Sequence, residues 1–366
     1  MSVLLAILLA YCGFVMLLIY GWFSTSSPNI KGIEPKLFYS IIIPFRNEAD
    51  NLKALIASLD RLNFPKENYE VILVNDHSTD TWQHVLKDID RPNLKLINAT
   101  EGEGKKAAIN TGIDLAKGEV IVTTDADCKV PSSWLHIYSY YFEVKNLEMV
   151  FGAVAFAKPQ SFFQKMQQVE FASLIGSGAS TLRLGLPSMC NGANLAFTKK
   201  AFNQVGGYND NLDQPSGDDE FLMHKIYRHY KGKVAFLKQD SAAVLTTAQH
   251  TWKDFYNQRK RWASKWKAYK SIKNSLLAAT VFAFNVSIIW AYISLIVTPH
   301  ELIIVFLFLK LLAEGIFLKS VMNTSGPKFS FPAFIFLQIT YPFYVVLFGL
   351  TANFGHYNWK GRKHRL

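Results

Sequence analysis

The feature that most constrains this chain is the apolar run at its start. Residues Val3 to Phe23 are almost uninterruptedly apolar, and no Asp, Glu, Lys or Arg occurs before Lys31. A helix of roughly 20 residues is long enough to span a bilayer. A cleaved signal peptide is the alternative, but it would have a basic start and a shorter apolar core, and this segment has neither. The sequence therefore predicts an N-terminal transmembrane anchor over residues 1–30.

Three further apolar blocks lie near the C-terminal end: Ser275 to Thr298, Leu302 to Leu318 and Phe331 to Ala352. The first contains no charge and no proline. The second contains Lys310 and Glu314, and charges inside a spanning helix are unfavourable. The third contains Pro332 and Pro342, which interrupt helical hydrogen bonding. We therefore expect the second and third blocks to be candidates for interfacial or re-entrant segments.

Basic residues cluster beside these apolar blocks. One cluster precedes the C-terminal blocks: Lys253, Arg259, Lys260, Arg261, Lys265, Lys267, Lys270 and Lys273. A second closes the chain: Lys360, Arg362, Lys363 and Arg365. Because basic segments favour the cytoplasmic side, both clusters are predicted to be cytoplasmic, as is the segment after Lys31. This divides the C-terminal part into a basic amphipathic juxtamembrane segment (251–274), hydrophobic membrane segments (275–353) and a basic tail (354–366).

The same charges limit the number of membrane crossings. One N-terminal span brings the chain into the cytoplasm, so a cytoplasmic tail requires an even number of crossings among the three C-terminal blocks. We predict that the third block does not cross, because Pro332 and Pro342 are expected to break its helical continuity. The predicted location is the cell (inner) membrane, multi-pass, with a cytoplasmic catalytic domain.

Composition narrows the classes of partner and of metal site. The net charge of +11 is concentrated beside apolar blocks, which suits a face held against anionic lipid. No nucleic-acid-binding motif is recognisable, so no nucleic-acid partner is expected. Cys12, Cys128 and Cys190 are scattered and offer neither a disulfide framework nor zinc spacing.

Between residues 37 and 250 the pattern alternates strand and helix. Predicted strands are Phe38–Pro44, Tyr69–Val74, Leu94–Ile97 and Glu119–Thr124, and predicted helices include Glu48–Leu62 and Lys105–Leu115. Such alternation predicts an α/β domain with a mostly parallel sheet, in which ligands bind beyond the carboxyl ends of the strands. Asn47, Glu48, Asp76, Asp125 and Asp127 all follow strands. A dinucleotide-binding Rossmann site is the alternative, but no G-x-G-x-x-G follows the first strand.

Asp125 and Asp127 stand at the end of the apolar strand Glu119–Thr124. Alternate residues of a strand face the same side, so both carboxylates can point to one place. Two hard oxygen ligands suit Mg²⁺ or Mn²⁺ carrying a diphosphate. A solvated turn after a strand is the alternative for this motif taken alone.

Seven short motifs in order resemble the family 2 glycosyltransferases, which have the GT-A (nucleotide-diphospho-sugar transferase) fold. They are Ile43–Glu48, Val74–Asp80, Gly104–Asn110, Thr124–Asp127, Asn191–Asn194, Gly217–Glu220 and Gln258–Trp262. Each is weak alone, and together they cover roughly residues 40–262. The shorter Trp359–Arg362 resembles the tail of membrane glycosyltransferases related to ceramide glucosyltransferase.

The resemblance implies a role for each matched residue. The nucleotide-sugar donor would be bound by Pro44, Asn47, Glu48, Asp76, Lys105 and Asp125. A divalent cation, Mg²⁺ or Mn²⁺, would be held by Asp125 and Asp127. The acceptor or the diphosphate would be contacted by Asn191, Gly192, Asn194, Asp218, Gln258, Arg261 and Trp262. Asp219 would be the general base that takes a proton from an acceptor hydroxyl.

Two motifs have structural alternatives. The family's usual Glu-Asp pair is replaced by Asp218-Asp219 followed by Glu220, and three acidic residues also suit the positive end of a helix dipole. The Gln258-x-x-Arg261-Trp262 motif could also form an interfacial helix, with its basic residues on lipid headgroups and Trp252, Trp262 and Trp266 in an aromatic belt.

The leading expectation is an inverting glycosyltransferase that moves a single sugar to a lipid or membrane-proximal acceptor. The donor would be a nucleotide-diphosphate sugar, with a UDP-sugar favoured over a GDP-sugar. One alternative is a processive polysaccharide synthase, which the Gln-x-x-Arg-Trp motif favours and the few apolar blocks oppose. The others are a polyprenyl-phosphate sugar synthase and a catalytically silent membrane scaffold, the latter opposed by the presence of Asp125, Asp127 and Asp219.

Overall fold

The computed structural model describes residues 2–30, 32–87, 89, 91–100, 102–209, 217–265 and 272–365. Trp266, Lys267 and Lys270, which belong to the predicted juxtamembrane segment, lie outside these ranges, as does Lys31. The strands are β1 (Tyr39–Phe45), β2 (Tyr69–Asn75), β3 (Leu94–Asn98), β4 (Val120–Thr123), β5 (Met149–Gly152), β6 (Val154–Phe156), β7 (Leu195–Thr198), β8 (Val234–Leu237), β9 (Val244–Thr246), β10 (His356–Trp359) and β11 (Arg362–Arg365).

The helices alternate with these strands and then continue alone toward the C-terminal end. They are α1 (Ser2–Ser24), α2 (Ala49–Leu59), α3 (Trp82–Leu86), α4 (Lys105–Leu115), α5 (Trp134–Ser139), α6 (Phe162–Arg183), α7 (Lys199–Gln204), α8 (Asp218–His229), α9 (Trp252–Ala263), α10 (Ile272–Val297), α11 (Glu301–Ser325) and α12 (Phe331–Thr351). The predicted strands and helices are confirmed with small shifts at their ends, and α4 has the predicted bounds.

A mixed sheet in the order β3-β2-β1-β4-β7-β5-β8 forms the centre of the soluble part. All neighbours are parallel except β7, which is antiparallel to both β4 and β5. Strands β1, β2 and β4 are buried along their whole length because helices cover both faces, which is why they read as unbroken apolar runs. The predicted mostly parallel α/β sheet is confirmed, and the carboxyl ends of β1, β2 and β4 meet at one edge.

The helix α6 joins the sheet domain to the helix α1. The hydroxyl of Ser180 donates to the carbonyl of Leu18 at 2.8 Å. A Cβ at Gly21 would lie 2.7 Å from the Ser180 carbonyl oxygen, so the two backbones approach more closely than any larger residue allows. The N-terminal helix is therefore fixed directly against the domain that carries the site.

Three helices, α1, α10 and α12, are long and apolar enough to cross a membrane by length and composition. Helix α11 is as long but carries charges, and these are paired inside the helix cluster. Lys310 Nζ lies 3.1 Å from Glu314 and 2.6 Å from the side-chain oxygen of Gln338, and the Tyr11 hydroxyl also donates to Glu314. Because paired charges facing neighbouring helices are tolerated at membrane depth, the charges do not prevent α11 from crossing.

The prediction that prolines break the third block is wrong, because α12 is one continuous helix. Pro332 stands in the first turn, where a missing N–H costs no helical hydrogen bond. Pro342 is buried among neighbouring helices, which can satisfy the backbone group that it leaves free.

Both ends of α12 contact helices of the catalytic part. Near the start, the ring of Phe336 lies 5.7 Å from that of Phe162 on α6. Near the end, the ring of Phe348 lies 6.4 Å from that of Phe255 on α9. The two ends of this apolar helix therefore lie against the same side of the structure.

Candidate active site

A cavity of about 1150 Å³ lies between the carboxyl ends of the strands and the apolar terminal helices. Its sheet end is lined by the carboxylates of Glu48, Asp76, Asp125, Asp127, Asp218 and Asp219. Its other end is lined by apolar side chains of α1, α10, α11 and α12: Phe14, Leu18, Phe282, Phe317 and Leu337. One continuous space thus joins a strongly acidic site to the helices that suit a membrane.

The Asp-x-Asp motif lies in the turn directly after β4, and both carboxylates face this cavity. Asp125 is partly exposed and lies 2.6 Å from Nζ of Lys105. Asp127 is half-buried and accepts a hydrogen bond from the Thr246 hydroxyl at 3.3 Å. Burial, together with the neighbouring charge of Asp125, raises the pKa of Asp127. Both carboxylates thus line the cavity and have side-chain partners, which a simple solvated turn does not require.

The donor atoms at this turn suit a divalent cation that is shared with a substrate. In the part of the chain that the structure describes, no group of three or more His, Cys, Asp or Glu residues could hold a metal alone. Mg²⁺ and Mn²⁺, however, usually bind one or two protein carboxylates and complete their shell with water and substrate phosphates. Asp125 and Asp127 fit an ion of that kind.

Lys105 at the start of α4 lies between the two acidic groups of the cavity. Its Nζ is 2.6 Å from Asp125 and 4.0 Å from Asp218. Burial lowers the pKa of Lys105, but the nearby carboxylates of Asp125, Asp218 and Asp219 outweigh it, and the net pKa is raised. A fixed positive charge therefore stands where the resemblance expects a diphosphate.

The acidic residues Asp218, Asp219 and Glu220 form the first turn of α8, as the helix-start alternative expects, and they also face the cavity. Asp219 accepts backbone hydrogen bonds from Gly192 and Glu220, each at 2.9 Å. Lys265 Nζ lies 3.6 Å from both Asp219 and Glu220.

These contacts shift the pKa values of Asp218 and Asp219 in opposite directions. Burial raises the pKa of Asp219, but Lys265 and Lys105 outweigh burial and hold the pKa below its usual value. Burial dominates at Asp218 and raises its pKa. Asp219 is thus the aspartate whose ionised form is favoured, and two backbone N–H groups fix its orientation.

The Asn191–Asn194 motif divides into residues at the cavity and a residue of the core. Gly192 supplies the N–H that orients Asp219, and the Asn191 side chain lines the cavity while accepting from the backbone of Ala193 at 2.9 Å. The prediction that Asn194 contacts acceptor or diphosphate needs correction, since it is fully buried and its side chain is fully hydrogen-bonded.

The partners of Asn194 explain that correction. Its Oδ1 accepts from Trp134 Nε1 at 2.8 Å and from the Tyr138 hydroxyl at 2.7 Å. Its Nδ2 donates to the carbonyls of Ala153 and Ala242 at 2.8 and 2.9 Å. No donor or acceptor remains for a ligand, so Asn194 holds the core together under the site.

The predicted nucleoside-binding residues lie at the ends of β1 and β2. Pro44 lines the cavity. Asn47 has a positive φ of 52° and its side-chain oxygen accepts from the backbone of Thr79 at 2.8 Å, so it shapes the turn. Glu48 is buried and accepts from Asn51 at 2.6 Å. Burial raises the pKa of Glu48 although the nearby Lys360 lowers it.

Two residues of the C-terminal tail reach this site, and sequence reasoning placed them only at the membrane. Lys360 forms an ion pair with Glu48, and Arg362 donates to both carboxylate oxygens of Asp76. Burial raises the pKa of Asp76, but Arg362 and the backbone N–H of Gly104 outweigh it and lower the pKa overall. The resemblance of Trp359–Arg362 to a family tail was the one signal that could have suggested this.

The Gln258–Trp262 motif lies on α9 along the cavity wall. Gln258, Arg261 and Trp262 line the cavity. Burial lowers the pKa of Arg261, while the nearby Tyr357 and Asp125 oppose that change. Arg259, to which the resemblance assigns no role, is 2% exposed and pairs with Glu170, so it does not lie on lipid headgroups as the interfacial alternative proposed.

Residues 40–206 match the family model described as Glycosyl transferase family 2. The chain therefore carries a family 2 glycosyltransferase domain, and its mostly parallel sheet is that of the GT-A fold. A solved mannosyltransferase, PcManGT from Pyrobaculum calidifontis in complex with GDP-Man and Mn²⁺, has the same fold. It superposes with a TM-score of 0.54 at 17% identity, covering 96% of this chain and 97% of that one.

Curated relatives include enzymes with two kinds of product. A beta-monoglucosyldiacylglycerol synthase from Nostoc sp. is 29% identical over 64% of this chain and 50% of its own length. A poly-beta-1,6-N-acetyl-D-glucosamine synthase from Staphylococcus epidermidis is 23% identical over 86% of this chain and 74% of its own. The chain spans about half the length of the first of these relatives.

Proposed function

We propose that the chain is an inverting glycosyltransferase that moves a single sugar from a nucleotide-diphosphate sugar to a lipid acceptor. The observation that carries this proposal is the continuity of one cavity from the carboxylates to the apolar helices. A water-soluble donor can bind at the acidic end, and the apolar part of an acceptor can lie between α1, α10, α11 and α12. The resemblance to a monoglucosyldiacylglycerol synthase supports the same class of acceptor.

The proposed chemistry is a single displacement at the anomeric carbon. Asp219, oriented by the N–H groups of Gly192 and Glu220, takes the proton of an acceptor hydroxyl as the oxygen attacks. Attack comes from the face opposite the nucleotide, so the anomeric configuration inverts. Lys105 lies beside Asp125 and offsets the negative charge of the departing diphosphate.

A divalent cation, Mg²⁺ or Mn²⁺, bound by Asp127 and Asp125 would screen the diphosphate and stabilise the leaving nucleotide. Glu48 and Asp76 are placed to accept hydrogen bonds from a nucleoside, which would require them to exchange Lys360 and Arg362 for the ligand. A UDP-sugar is the favoured donor and a GDP-sugar the second.

The same geometry supports a topology in the cell (inner) membrane. Helix α1 and the antiparallel pair α10 and α11 are proposed to cross. Helix α12 is proposed to lie along the cytoplasmic face of the membrane without crossing it, because it is one continuous helix and both its ends contact catalytic-domain helices. The tail contacts Glu48 and Asp76, so it shares the cytoplasmic side with the catalytic domain.

The test is a donor screen with the purified full chain in detergent. UDP-glucose, UDP-N-acetylglucosamine and GDP-mannose are each supplied with Mn²⁺ and a native lipid extract, and nucleotide release and new glycolipids are measured. We expect one donor to give a lipid heavier by one sugar, and the near-isosteric Asp219→Asn variant to lose about 10²-fold or more in rate. Nucleotide release without any glycosylated lipid would contradict the proposal.

A processive synthase is the second candidate, favoured by the alignment of 86% of the chain with a poly-beta-1,6-N-acetyl-D-glucosamine synthase. The mass spectrum of the product separates the two. A single added sugar supports the transfer to lipid, whereas a ladder of repeating sugar masses supports polymerisation.

A further inference from the structure

A buried ion pair connects three helices beside the cavity. Nε of Arg259 on α9 donates to Oε1 of Glu170 on α6 at 3.1 Å, and Nη2 donates to the second oxygen at 2.5 Å. The hydroxyl of Tyr344 on α12 donates to Oε1 of Glu170 at 3.0 Å. Arg259 is 2% exposed and Glu170 is 5% exposed. An apolar terminal helix is thereby linked to the catalytic part through one carboxylate.

The guanidinium of Arg259 is in turn stacked on aromatic rings. Its central carbon lies 4.5 Å from the ring centre of Phe255 and 4.3 Å from that of Trp262. Trp262 also stacks on Phe171, with ring centres 5.7 Å apart and planes at 28°. Glu170 and Phe171 are consecutive, so one short stretch of α6 fixes Trp262 both directly and through Arg259.

Trp262 occupies a particular place in the cavity wall. Trp262 and the preceding Arg261 line the same cavity as Asp125, Asp218 and Asp219. Tyr344 on α12 is connected to the ring of Trp262 through Glu170 and Arg259. The indole ring therefore lines the cavity that would hold a lipid acceptor and contacts the arginine that is linked to α12.

Stability alone is a weak explanation for the ion pair. Removing two charges from water is unfavourable, and apolar residues of similar volume often serve a buried site as well or better. What a bidentate arginine pair adds is a fixed orientation, because the planar guanidinium accepts few arrangements. The consequence here is a fixed plane for the ring stacked on it.

We infer that Glu170 and Tyr344 are positioning residues for the acceptor, acting through Arg259 on the ring of Trp262. Helix α12 thereby sets how tightly the lipid is held beside Asp219. This inference rests on the proposed transfer to a lipid, and it assigns α12 a part in acceptor binding beyond anchoring the chain.

The test compares two tyrosines of the apolar helices in the full chain. Tyr344→Phe removes the hydroxyl that reaches Glu170, and Tyr292→Phe is the matched control, since its hydroxyl donates to the Gln338 carbonyl at 2.7 Å instead. The donor and the lipid fraction are those that give product in the screen above. We expect Tyr344→Phe to raise the KM for the lipid about fivefold, the scale of one lost hydrogen bond, with a much smaller change in kcat. The control should leave this KM unchanged.

A double variant tests the route through the indole ring. If Tyr344 acts through Trp262, adding Tyr344→Phe to Trp262→Phe changes the lipid KM less than it does in the wild type. Independent effects, or equal KM changes in Tyr344→Phe and Tyr292→Phe, would overturn the inference while leaving the proposed function intact. A wild-type chain that glycosylates no lipid would overturn the proposed function and the inference together.

Discussion

Arg362 donates two hydrogen bonds to Asp76, at 2.8 Å to Oδ2 and 3.2 Å to Oδ1, across 286 residues of sequence. Asp76 directly follows β2 at the sheet edge, and Arg362 begins the last strand of the C-terminal hairpin. The hairpin is fixed further by Lys360, whose carbonyl accepts from Arg46 at 3.1 Å. The tail is therefore part of the wall of the candidate donor site.

Replacing Arg362 should release the tail. Arg362→Gln removes the charge that offsets a buried carboxylate, and charge-assisted hydrogen bonds contribute about 1.5–3 kcal/mol. We expect faster limited proteolysis within residues 353–362 and an intact catalytic domain. The control is Lys328→Gln, which removes an exposed charge between α11 and α12. Equal cleavage of the tail in both variants would contradict the prediction.

Activity should require a divalent cation held through Asp127. Excess chelator is expected to abolish transfer, and Mn²⁺ or Mg²⁺ should restore it, because the diphosphate leaves as a highly charged group. Asp127→Asn keeps the shape of the side chain and should lose the metal-dependent rate. Asp114→Asn, at an exposed position of α4, is the matched control. Full activity in chelator would show that the carboxylates serve another purpose.

The sheet and its acidic edge could be predicted because their signals are local. Strands buried on both faces read as apolar runs, and the residues after them must meet at one edge. The tail pairs could not be predicted this way, since Asp76 and Arg362 share no periodic pattern. The basic residues of the tail also suit a membrane surface, and the sequence analysis explained them in that way alone.

Other differences arise from tertiary partners that a short motif does not contain. Asn194 lies within a matched motif, but its role was decided by Trp134 and Tyr138, which fill its hydrogen-bonding positions from a distant helix. Arg259 lies inside the Gln258–Trp262 motif, yet only its burial against Glu170 distinguishes it from neighbouring cations. Such roles depend on where helices meet and cannot be read from spacing alone.

Asn194 should behave as a structural residue. Asn194→Ala leaves Trp134 Nε1, the Tyr138 hydroxyl and two carbonyls buried without their partner, and each such group costs about 1–3 kcal/mol. We expect a large fall in Tm in detergent and poor expression. A variant with normal Tm and a selective loss of acceptor turnover would instead show that Asn194 takes part in acceptor binding.

Lys265 should set the acid limit of the reaction. Asp219 must be ionised to accept a proton, and Lys265 helps hold its pKa below the usual value against the effect of burial. Removing that positive charge in Lys265→Met raises the pKa, so the rate should begin to fall at a higher pH as the solution is acidified. Profiles of kcat/KM against pH measure the shift, with Lys233→Met, at the surface, as control. An unchanged acid limb would exclude electrostatic coupling of Lys265 to the base.

The last prediction concerns the course of α12. A tail that binds Asp76 must lie on the catalytic side, so an even number of the helices α10, α11 and α12 must cross. We expect α10 and α11 to cross and α12 to lie along the membrane surface. Single cysteines at Thr298, Lys328 and Phe354, in a background without the three native cysteines, are probed in intact cells with a membrane-impermeant thiol reagent. All three positions are exposed in the structure. We expect labelling at 298, between α10 and α11, and protection at 328 and 354. Labelling at 354 with protection at 328 would mean that α12 crosses fully, and the contacts of Lys360 and Arg362 could then not form in the membrane.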